Sequence, residues 1–161
     1  MEWKHVLVVV VLVTVRRAEG GDAMKLLATG FVKVLEECKK ELNLDDNLIS
    51  DLYHYWKLDF SLLQRETGCA IICMSKKLEL LGEDGKLHHG NAKEYAMRNG
   101  AGDELATKMI SIIHGCEDKG EGIEDDCARV LEVAKCFRVG LHDLHWEPKV
   151  DVIITEVLTE I

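Results

Sequence analysis

The residues most able to do chemistry in this chain are six cysteines: Cys38, Cys69, Cys73, Cys116, Cys127 and Cys136. An even count behind an apolar amino-terminal run reads as three disulfides, the staples of a chain made for an oxidising compartment. Zinc is the weaker reading, since no CxxC pair occurs and no histidine stands at finger spacing from a cysteine pair. Catalysis finds little support. HExxH, GxSxG and the Cys-Cys-x-x-His-Asp run of secreted phospholipases are all absent. His114 and Glu117 stand three residues apart, but Glu117 is expected at the solvent end of its helix. Ser75 is one hydroxyl among apolar neighbours, and its ordinary use would be a bond back to its own helix carbonyl. The chain therefore reads as a binding protein, not an enzyme, with no cofactor and no metal.

Residues 6–15 are uniformly apolar or nearly so and follow Lys4 and His5, the pattern of a signal peptide. Ten residues span only about 15 Å as a helix, too short for a bilayer core of about 30 Å. The leader is expected to be residues 1–19, with the cut between 18 and 21, and residues 20–161 to form one domain. Arg16 and Arg17 stand where small neutral residues are usual, which blurs the cut. The whole chain carries a formal charge of −9. Removing residues 1–19 takes away Lys4, Arg16, Arg17, Glu2 and Glu19, leaving 17 basic and 27 acidic residues and a charge of −10. Such a surface repels phosphate backbones, so nucleic acid is excluded as a partner. It also disfavours anionic membranes, the target of a membrane-active or signalling cysteine-rich helical protein.

These residues must be positioned by helices. Proline occurs once, at Pro148, and apolar residues recur at spacings of three and four. Met24, Leu27, Phe31, Val34, Leu35 and Cys38 form one stripe. Asp45 or Asp46 can cap a second helix carrying Leu48, Leu52, Tyr55 and Trp56. A third helix is expected over 67–81 and a glycine-rich loop over 82–90. Asn91 with Glu94 suggests a capping box for a short fourth helix ending near Asn99 and Gly100. Asp103 is expected to cap a fifth, with Leu105, Met109, Ile112, Ile113 and Cys116 on one face, before a charged linker over 118–126. A last helix, 126–139, is apolar on two faces and should be central. The fold class is all-α, six to seven helices in one compact domain held by three disulfides.

Helix geometry limits the bridges. Cys69 and Cys73 lie side by side on one helix face, a poor geometry for a mutual bridge. Cys127 and Cys136 are about 13 Å apart along one axis and cannot pair. Of the fifteen connectivities that six cysteines allow, these exclusions leave ten. The intervals between cysteines, 30, 3, 42, 10 and 8 residues, resemble the pattern of insect odorant-binding proteins. Several stretches resemble the moth pheromone-binding branch: Leu35-Glu36-Glu37-Cys38-Lys39-Lys40-Glu41, Arg65-Glu66-Thr67-Gly68-Cys69-Ala70-Ile71-Ile72-Cys73, Leu87-His88-His89-Gly90-Asn91-Ala92 and Ile113-His114-Gly115-Cys116-Glu117. The stretch Leu144-His145-Trp146-Glu147-Pro148 also fits that branch better than the general odorant-binding branch.

The resemblance implies bridges Cys38–Cys73, Cys69–Cys127 and Cys116–Cys136, one of the ten sets left open. It implies a ligand pocket lined by Phe31, Tyr55, Trp56, Ile71, Ser75, Leu81, Leu87, Tyr95, Ile113, Val133 and Phe137, with Ser75 meeting the polar head of the ligand. Ala28 stands where relatives often place a small hydroxyl. Tyr55 and Tyr95 stand where Phe is common, and each adds a hydroxyl that needs a partner if buried. The implied ligand is a long-chain alcohol, aldehyde or acetate. Its hydrocarbon tail would gain about 0.8 kcal/mol per methylene buried. A general odorant or a fatty acid would suit the same fold. The implied location is extracellular, in the sensillum lymph of antennae, with an olfactory receptor or membrane surface and a pH-dependent homodimer as further partners.

The carboxyl-terminal stretch carries the last informative pattern. Val150, Ile153, Ile154, Val157, Leu158 and Ile161 form an apolar helical stripe opposed by Asp151, Glu156 and Glu160. Ionised, these carboxylates resist burial; protonated, they leave a largely apolar helix. The resemblance implies that this helix then enters the pocket and expels ligand. His88, His89 and His114 would gain charge over a similar acid range and open the mouth. The ordinary alternatives are a helix docked on the surface and exposed loop histidines.

Overall fold

A computed structural model describes residues 3–149 together with 151 and 155, and side chains from residue 20 onward. Among the described residues there are six α-helices and no named strand: α1 Trp3–Glu41, α2 Asn47–Trp56, α3 Arg65–Lys77, α4 His89–Arg98, α5 Asp103–Glu117 and α6 Asp126–Asp143. Short 3-10 turns follow α2 and α5, at Phe60–Leu62 and Asp118–Gly120. None of the helices is long and apolar enough to cross a membrane, among the described residues.

The periodicity explains the packing. Met24, Leu27, Ala28, Val32, Leu35 and Cys38 are all buried, one stripe of α1 turned to the interior. Helix α6 packs against α2, α3 and α5, the central place its two apolar faces suggested. Three disulfides tie this arrangement: Cys38–Cys73 joins α1 to α3, Cys69–Cys127 joins α3 to α6, and Cys116–Cys136 joins α5 to α6. Each contributes about 2–4 kcal/mol by restricting the unfolded chain. Helices α3 and α6 meet closely beside the second bridge. A Cβ on Gly68 would lie 1.9 Å from the Cys127 carbonyl oxygen, so only glycine fits there. Arg65 and Asp125 clamp the same contact, Nη2 to Oδ2 at 2.5 Å. Asp125 also accepts the Ala128 amide, capping α6. The Arg65 guanidinium and these amides hold the Asp125 carboxyl below its usual value.

Several boundaries differ from the sequence reading, each for a local reason. Helix α1 has backbone helical from Trp3, well before the first stripe residue. Helix α3 ends at Lys77, not at 81, because Glu79 turns into the left-handed region (φ 58°) and the Leu80 amide closes onto the Ser75 carbonyl. The stretch read as a loop over 82–90 is closed by an antiparallel bridge between Leu81 and Leu87, and His89 and Gly90 already belong to α4. The cap of α4 is His88, whose Nδ1 accepts the Asn91 amide at 3.1 Å; Asn91 sits inside the helix and donates to the Glu79 carbonyl instead. Asp103 opens α5 without a side-chain cap, Gly102 holding the cap position. At α2 the cap position is Asp46, but the Asn47 amide goes to Asp45. Helix α6 runs four residues past 139, to Asp143.

Candidate ligand-binding site

The six helices leave a cavity of about 390 Å³ between them. That size lies within the roughly 300–1,000 Å³ of small-molecule sites. Its wall draws on every helix. Phe31 comes from α1, Tyr55 and Trp56 from α2, Ile71 and Ser75 from α3, Tyr95 from α4, Ile113 from α5, and Val133 and Phe137 from α6. Leu81 and Leu87, the bridged pair, close one side. The structure thus brings all eleven residues singled out from the sequence onto one wall. Ile71, Ile113, Val133 and Phe137 are only half-buried, although they lie inside the bundle, because part of each faces this space.

The polar groups on the wall are nearly all committed. Tyr55 donates its hydroxyl to the Ala134 carbonyl at 3.0 Å, and Tyr95 donates to the Leu27 carbonyl at 3.1 Å. Burial raises the Tyr55 hydroxyl pKa and pushes that of Tyr95 up to about 12. The two hydroxyls flagged as needing partners therefore act as struts between helices, α2 to α6 and α4 to α1. Thr67 donates to Asp51, which also accepts the Gln64 amide at 3.1 Å. Ser75 differs. It is buried on the wall, and among the described residues its hydroxyl makes no bond of the kind by which Thr29 donates to Lys25 one turn back in α1. Ala28 lines the cavity as a methyl group only. The wall thus presents mostly hydrocarbon with one uncommitted hydroxyl, its charged residues being Asp84, Lys86, Glu117 and Arg129.

The mouth is more polar. Glu117, expected at the solvent end of its helix, is instead half-buried on the wall. Its Oε1 accepts the Leu87 amide at 3.3 Å and lies 3.2 Å from His114 Nδ1. The helix continues into the 3-10 turn at Asp118–Gly120, so Glu117 is not a free end. The His89 ring stacks on His114, with centroids 5.6 Å apart and planes 4° apart. His88 is exposed and spent on the α4 cap. Of the tail, Asp151 is helical and exposed. Glu156 and Glu160 lie outside the described residues, as do Val150, Ile153, Ile154, Val157, Leu158 and Ile161.

Sequence reasoning missed the buried Arg138. Its Nη2 donates to the Trp56 carbonyl at 2.7 Å and its guanidinium lies 5.4 Å from the Trp56 ring centre. Desolvation lowers its pKa, an effect the Glu147 carboxylate opposes. Arg138 thereby holds the Trp56 side of the wall. Its position within the apolar stripe of α6, seven residues after Leu131 and three before Leu141, hid it.

The sequence profile of the PBP/GOBP family matches residues 22–139. Pheromone-binding protein 2 of Epiphyas postvittana is 44% identical over 140 residues, covering 87% of this chain and 85% of that protein. General odorant-binding protein 2 of Heliothis virescens is 39% identical over 155 residues, covering 95% of this chain and 96% of that one. The crystal structure of Epiphyas postvittana pheromone binding protein 3 superposes with a TM-score of 0.66 at 58% identity, over 70% of this chain and 96% of that one.

Proposed function

The chain belongs to the PBP/GOBP family of binding carriers, not enzymes, and from that premise we propose that it is a secreted carrier of a long-chain apolar pheromone or odorant. The observation that carries this reading is the largely apolar cavity between the helices, with an uncommitted hydroxyl at Ser75. Burying an alkyl chain of ten to sixteen carbons there gains about 0.8 kcal/mol per methylene. That outweighs association costs of about 4–15 kcal/mol only for the longer chains or the lower costs, which favours long ligands. Ser75 orients the head group of an alcohol, aldehyde or acetate. The likeness to general odorant-binding protein 2 supports a broader odorant range as the second reading.

Residues 1–19 serve as a leader that is removed, placing the carrier outside the cell in antennal lymph. Release follows acidification. Protonation of Asp151, Glu156 and Glu160 removes the charge that opposes burial of the apolar stripe in the sequence of residues 150–161. Protonated His88 can no longer accept the Asn91 amide, which loosens α4 beside the mouth. Equilibrium displacement of a fluorescent apolar probe by long-chain alcohols, aldehydes and acetates tests the carrier. Saturable displacement at neutral pH is expected, with loss of affinity on acidification. Removing residues 150–161 should abolish the acid effect; release that persists without them would discard the tail as the displacer.

A further inference from the structure

Tyr95 reaches the cavity wall through a notch in α1. Gly30 lies inside α1, where glycine is a poor helix former and needs a reason. A Cβ built there would lie 2.0 Å from the Tyr95 hydroxyl oxygen and 3.1 Å from Cζ. No side chain other than hydrogen leaves room for the phenol. Through this gap the hydroxyl donates to the Leu27 carbonyl, and the ring meets Phe31 edge-on at 6.2 Å. Both aromatic rings are cavity wall. Tyr95 is otherwise packed against two buried clusters, one that includes Ala96 and one of Leu80, Ala92 and Ile110, so the unfilled space open to a displaced ring is the cavity itself. Its hydroxyl is spent on α1 and has nothing to offer a ligand head group. What Tyr95 contributes to recognition is shape.

We propose that Gly30 and Tyr95 form a length gauge: seating the phenol in α1 holds the ring back from the lumen and so fixes how long a chain the cavity admits. Gly30 never touches the ligand. It determines specificity through the ring it lets retract. The inference rests on the reading of the cavity as the ligand site.

The test compares wild type, Gly30→Ala, Tyr95→Phe, Tyr95→Val and the double variant Gly30→Ala with Tyr95→Phe. Each is titrated with straight-chain primary alcohols of ten to sixteen carbons against bound N-phenyl-1-naphthylamine. Gly30→Ala should drive the ring inward and shift the best-bound length about two carbons shorter. Each methylene refused costs about fourfold in affinity, so the longest alcohols should weaken about fifteenfold while the shortest keep theirs. Tyr95→Phe serves as the reference for the double variant, which should follow the Tyr95→Phe length profile and not the shortened Gly30→Ala one, because the clashing oxygen is gone. Tyr95→Val, which leaves α1 intact, should move the optimum to longer chains and keeps the proposal testable if Gly30→Ala does not fold. A Gly30→Ala profile equal to wild type overturns the gauge. So does equal weakening at every length, or a Tyr95→Val profile that does not lengthen. If wild type itself binds no probe, the cavity reading falls and the gauge falls with it.

Discussion

Ser75→Ala removes one oxygen from the cavity wall, and the structure fixes what should follow. In the ligand-free protein the Ser75 side chain lies on the cavity wall and, among the described residues, its hydroxyl makes no bond to the protein, unlike Thr29, which donates to its own helix. Replacing it therefore breaks no protein hydrogen bond. Alanine is also the better helix former. The ligand-free variant should therefore be at least as stable as wild type. Binding should move the other way. One neutral hydrogen bond contributes about 0.5–1.5 kcal/mol net, so a long-chain alcohol should bind about two- to twelvefold more weakly. The alkene of equal length should bind the variant as well as it binds wild type. Thermal unfolding without ligand and probe displacement by the alcohol and the alkene give all three readings. Equal weakening for alcohol and alkene, or a lower melting temperature without ligand, would refute the assignment and make Ser75 a packing residue.

Other perturbations read different joints of the structure. Gly68→Ala would set a methyl carbon 1.9 Å from the Cys127 carbonyl oxygen. It should cost about 1–3 kcal/mol or more by forcing α3 from α6, measured as a fall in thermal midpoint with both cysteines still bonded. Glu117→Ala removes the acceptor of the Leu87 amide and should speed probe release several-fold by stopped flow, whereas Glu117→Gln, which keeps an acceptor, should not. Asp125→Asn tests pH linkage. Arg65 and the α6 amides hold the folded carboxyl below its ordinary value of 3.8. Its contribution is therefore complete above that value and lost as pH falls through the lower, folded one. The variant should be less stable at neutral pH and should close the gap to wild type on strong acidification.

The sequence carried the covalent frame and the wall further than the joints. Spacing alone left ten bridge sets, and the family likeness selected the one the structure contains. Wall residues such as Ile71, Ile113 and Val133 were legible because apolar periodicity and family position agree. The boundaries failed where tertiary contacts overrule local preference. Glu79 adopts a left-handed turn without being glycine, and an imidazole nitrogen of His88 caps α4 where Asn91 looked the better acceptor. Glu117 was misplaced because a carboxylate at a helix end ordinarily seeks water. Its spacing from Ile110 and Ile113, seven and four residues, was the available signal, and the Leu87 amide that holds it is distant in sequence. The Gly30 notch was invisible for the same reason, since its partner Tyr95 lies 65 residues on.

The central claim is that the cavity holds one long apolar molecule. Native mass spectrometry of the protein with hexadecan-1-ol at neutral pH tests it most directly. The account predicts a saturating adduct of one alcohol per chain that shorter alcohols displace poorly. No adduct, or several per chain without saturation, would mean surface adsorption and would contradict it.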